Sequence, residues 1–115
     1  MDPFTILIWA AVWAGVSAGI YATVYFANLT AQIILSWFRN FAYLLVENDR
    51  RSFENREYVA FTVQQAMASG DYNVVEGIFD NKKGEVYKAQ VNRASSIDLK
   101  IKQAHRNGKE VAFWQ

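Results

Sequence analysis

Side chains suited to chemistry are sparse in this chain. It has one histidine, His105, and no cysteine. Nucleophilic catalysis needs a hydroxyl or thiol beside a base that a third group holds in place. No Gly-x-Ser-x-Gly elbow is present, and a lone imidazole after Ala104, at the end of a helical pattern, is expected to serve the helix terminus or the core edge. Asp71, Glu76 and Asp80 do not fall at metal-loop spacing. Asp80-Asn81 with Gly84 superficially looks like a calcium loop, but the later ligands are missing, so a hairpin connection is expected there. Neither glycine-rich phosphate-binding pattern occurs. No catalytic, metal-binding or cofactor-binding residue is therefore assigned, and the chain reads as a non-enzymatic protein that needs no cofactor.

The remaining candidate chemistry is electrostatic. Lys82, Lys83, Lys88 and Lys100, with Arg93, Lys102, Arg106 and Lys109, fall in the last third and would contact an anionic surface if they shared a face, each adding about 1 kcal/mol near lipid head groups. Glu85, Asp98 and Glu110 are interspersed and weaken such a field, so a solvated charged face is the simpler expectation. The whole chain carries 12 Lys and Arg against 11 Asp and Glu, a net charge of +1. That balance, with only Tyr87, Phe113 and Trp114 available for base stacking, argues against a nucleic-acid partner. Without cysteine there is no disulfide framework and no thiolate metal site.

The elements that position these groups begin with a charge-free run from Phe4 to Phe38 in a chain of 115 residues. A membrane-spanning helix takes about 20 apolar residues, and Phe4 to Phe26 supplies them. The run is too long and too rich in tryptophan for a secretory leader and lacks its basic flank, so an uncleaved anchor is expected. Arg39, Arg50, Arg51 and Arg56 all follow the run, which orients a single-pass protein N-out and C-in, with the tail on the cytoplasmic side. Ala11, Gly15 and Gly19 recur every four residues and would let a second helix approach closely in lipid. Asn28, Gln32, Ser36 and Arg39 form a polar stripe opposite Leu29, Ile33, Ile34 and Trp37. This makes the second half of the run an amphipathic helix, lying on the bilayer or packing on a protein.

Beyond the run, Asp49 or Ser52 is placed to cap a helix through Phe53–Ser69 that Gly70 would stop. From Asn73 the period changes to two. Two β-type runs flank the Asp80–Gly84 connection, Ser95 with Asp98 opens a helix carrying Ile97, Ile101 and Ala104, Asn107-Gly108 ends it, and Glu110–Trp114 is a last strand. Val75, Gly77 and Phe79 should share one face, as should Glu85, Tyr87, Ala89 and Val91.

The expected architecture is a membrane-anchored α+β protein. Residues 1–48 form the transmembrane helix and its amphipathic extension, 49–70 a connecting helix, and 71–115 a small β-β-α-β domain. The expected role is an accessory or assembly subunit of a membrane complex, acting through helix packing and a docking domain. Its partners would be the lipid bilayer and either a membrane protein or a second copy of itself. A membrane-tethered regulatory module that recognises a peptide or an anionic ligand is the alternative.

Overall fold

The computed structural model describes residues 3–45, 55–106 and 110–114. In chain order the elements are α1 (Pro3–Ala18), β1 (Ala22–Leu29), α2 (Ala31–Arg39), α3 (Ala42–Leu45), β2 (Tyr58–Ala66), β3 (Tyr72–Asp80), β4 (Glu85–Ile97), α4 (Leu99–Ala104) and β5 (Val111–Trp114). The strands form a five-stranded sheet in the order β1-β4-β3-β2-β5. β1 runs parallel to β4, and every other pair is antiparallel. The protein is a small α+β fold with helices on both faces of one sheet.

Side-chain alternation divides the core in two. Phe61, Val63, Val75, Phe79, Val91 and Val111 meet Ile8 and Val12 of α1 on one face. Ala60, Val74, Ile78 and Ala94 meet Ile34 and Phe38 of α2 and Ile101 of α4 on the other.

The charge-free run does not form the expected continuous helix. α1 ends at Ala18 because Gly19 adopts φ +70°. The amide of Gly19 donates to the Val16 carbonyl (3.1 Å) and that of Ile20 to the Gly15 carbonyl (3.2 Å), the paired bonds of a Schellman stop. Among the described residues no helix is long and apolar enough to cross a membrane. The 16 residues of α1 span only about 24 Å. After the turn, Ala22 to Leu29 is a strand, so Asn28 is not on a helix, and the amphipathic helix begins only after the Thr30 cap, whose hydroxyl accepts from the Ile33 amide (3.2 Å).

The expected connecting helix is corrected to strand β2 over Tyr58–Ala66. β2 lies between β3 and β5 and is covered on both faces, so Val59 to Val63 are all buried. A strand of this kind lacks the polar alternation that identifies a half-buried one. Gly70, at φ +92°, turns β2 into β3 instead of ending a helix. The expected caps Asp49 and Ser52 lie outside the described residues, as do Asn107 and Gly108.

The β-β-α-β order after Asn73 is observed as β3, β4, α4 and β5. Asp80 Oδ1 accepts from the amides of Lys82 (3.0 Å) and Lys83 (3.1 Å), and Gly84 closes the hairpin at φ +69°. Ser95 lies within β4, and Asp98 alone caps α4. Its two carboxylate oxygens divide the work: Oδ1 accepts from Ile101 of α4 (3.0 Å) and Oδ2 from Ala31 of α2 (2.8 Å), fixing two helix starts to one side chain.

One expected face is broken. A register shift pairs Ile78 with Lys88 but Phe79 with Val86, leaving Tyr87 as the extra residue of a bulge. Val86 and Ala89 then face the α1 side, while the Tyr87 ring meets Tyr58 (5.7 Å) and Phe41 (6.4 Å).

Candidate functional site

Three features could carry function: a buried polar cluster, a hollow beside β1, and the outer surface of α1. In the cluster, Thr62 of β2 pairs with Glu76 of β3, which pairs with Gln90 of β4. Alternation puts these side chains and Asn92 on the α2/α4 face, amid Ala60, Val74 and Ile78. Asn92 Nδ2 donates to Glu76 Oε1 (2.8 Å), and Gln90 Nε2 donates to Asn92 Oδ1 (2.9 Å). Beside them the Thr62 hydroxyl accepts from Trp114 Nε1 (2.8 Å) and shares a hydrogen bond with His105 Nε2 (2.8 Å). Glu76, Thr62 and Asn92 are fully buried, and Glu76 Oε2 has no hydrogen-bond partner.

Burial raises the Glu76 pKa to about 8 despite the opposing hydrogen bond from Asn92. The carboxyl is therefore largely protonated at pH 7, and its uncharged form is what lets it sit between strands. A closed cluster of this kind ties strands together and offers no reacting group to a solute. His105 is buried at the core edge, as expected of a structural histidine.

The hollow, about 410 Å³, is lined by Tyr25, Phe26 and Ala27 of β1, by Arg93, Ala94 and Ser95 of β4, and by Asp71. Arg93 Nε donates to Asn73 Oδ1 (3.2 Å), and its guanidinium lies 5.9 Å from the Tyr25 ring centroid. α1 is apolar all round: Ile8 and Val12 are fully buried on the sheet, yet Ile6 and Leu7 on its outer side are 49% and 47% exposed. Trp9 is also exposed.

The sequence-predicted contact residues are dispersed. Gly15 is buried under the Tyr21 ring, Ala11 is partly buried beside it, and Gly19 lies past the helix end. Asn28 accepts from Ser96 Oγ (2.9 Å), whereas Gln32, Ser36 and Arg39 are exposed on α2. Lys82 and Lys83 sit in the hairpin turn, Lys88 on β4 and Lys100 on α4, all exposed. The cluster around Glu76 went unrecognised because its members come from separate elements. The one local signal is a Thr, a Glu and an Asn at inward positions of otherwise apolar strands.

Comparisons with protein-family models, with curated proteins and with solved structures find no match for this chain.

Proposed function

We propose that the chain is a non-enzymatic accessory or assembly subunit working at a membrane, with the outer side of α1 as its contact surface. The observation that supports this reading is the pair of apolar faces on a charge-free helix. The sheet covers one, while Ile6, Leu7 and Trp9 remain exposed on the other. A helix that is apolar all round is stable where apolar material meets it on every side. Here the second covering is the bilayer interface or a membrane-embedded partner. Since α1 is too short to cross, the proposed association is peripheral.

Fractionation of cells that make the full chain tests this reading. Wild type is expected in the membrane pellet with a stoichiometric partner identifiable by mass spectrometry in mild detergent. Leu7→Glu with Trp9→Glu should release the chain at an unchanged thermal midpoint. A wild-type chain that stays in the supernatant with no partner overturns the proposal. The alternative, a tethered module for a peptide or anionic ligand, is favoured by Arg93 at the hollow. Ligand binding lost in Arg93→Gln, from a chain without a partner subunit, would select it.

A further inference from the structure

Among the described residues, β1 ends the sheet without any of the devices that normally keep an edge strand from pairing. Long edges are usually blunted by lysine, proline, a bulge or a covering element. β1 has eight residues, and its register against β4 runs from Ala22↔Gln90 to Leu29↔Ile97 without a shift. It contains no proline and no charge. Among the described residues it pairs with β4 alone, and most of its side chains are exposed on both faces, Tyr25 by 70%.

We propose that β1 pairs antiparallel with β1 of a second copy of this chain, about a two-fold axis through Tyr25, joining two sheets into one. The contact does not depend on the α1 surface. Pairing with a second copy meets no charge obstacle, because both strands are neutral and no like charges come together. It is favoured by closure, because a two-fold pairing consumes both long edges and leaves outside only the four-residue β5.

Geometry selects the register. An axis normal to the sheet keeps each face on its own side, so paired residue numbers must sum to an even value. A sum of 50 sets Tyr25 against itself and Val24 against Phe26 of the second copy, apolar facing apolar. A sum of 52 sets Val24 against Asn28 and requires Leu29, which is fully buried.

Because the chain has no cysteine, engineered thiols read the register directly. Opposed Cα atoms in antiparallel strands lie about 4.5–5.5 Å apart, within disulfide range. Full-length Tyr25→Cys should convert mostly to a disulfide-linked dimer under mild oxidation. Thr23→Cys, whose mate is Ala27, should stay unlinked. Light scattering should give a dimer for the unmodified chain and a monomer for Val24→Lys, which should keep the circular dichroism spectrum of the folded chain and a cooperative unfolding transition. A monomeric unmodified chain, or linking of Thr23→Cys as complete as that of Tyr25→Cys, overturns the proposal.

Discussion

Glu76 and Asn92 meet in the middle of the sheet, with Asn92 Nδ2 donating to Glu76 Oε1 at 2.8 Å while the second carboxyl oxygen of Glu76 is buried without a partner. The pair holds a neutral acid where a carboxylate would be costly.

That neutrality makes stability depend on pH. Unfolded, the Glu76 carboxyl titrates near 4.5, and folded it titrates near 8. The folded state therefore holds the extra proton between these values. Its contribution is complete below pH 4.5 and is lost as pH rises through 8, a swing of at most about 5 kcal/mol. The urea midpoint of wild type should fall from pH 5 to pH 9 relative to that of Glu76→Gln, which keeps a neutral side chain. Parallel curves for the two proteins would show that Glu76 titrates normally.

Thr62 is the shared partner of Trp114 Nε1 and His105 Nε2. Thr62→Val keeps the shape and removes both bonds, leaving polar nitrogens facing apolar surface. A loss of about 2–4 kcal/mol in urea unfolding is expected, and Thr62→Ser should recover most of it.

Gly77 leaves no room for a side chain. A β-carbon there would lie 2.6 Å from the Phe61 ring and 2.9 Å from the Lys88 carbonyl oxygen. Phe61 is fully buried and the carbonyl is main chain, so neither yields easily. Gly77→Ala should cost about 1–3 kcal/mol, read as a lower thermal midpoint.

α1 packs on the sheet through Ile8 and Val12. Ile8→Ala should lower the stability of the whole fold by about 2–5 kcal/mol, and the Val12→Ala cost should be smaller because less volume is removed. An unfolding midpoint for the sheet that ignores both substitutions would mean that α1 contributes nothing to the core.

The chain from Asn73 onward was largely legible because its signals are local. Gly84 supplies the positive φ of the hairpin and Asp98 caps α4 through the next turn, both within a few residues. The β-type run Tyr72–Phe79, with Val75, Gly77 and Phe79 on one face, marked β3. The first half was not legible in the same way. From Phe4 to Phe38 the sequence fixes only apolarity, and a membrane span has the same composition as a short helix followed by an edge strand. Gly19 was visible as a small residue, but its helix-ending φ was not.

Only tertiary structure decided how distant segments are used. β2 is buried on both faces because α1 packs on one and α2 with α4 on the other, while β5, about fifty residues later, pairs along its edge. β1 lies parallel to β4 although nearly seventy residues separate paired positions. The bulge that turns Tyr87 away from Val91 arises in matching β4 to β3. The proton on Glu76 depends on the same long-range assembly, because its pKa reflects burial that no neighbour in the sequence supplies.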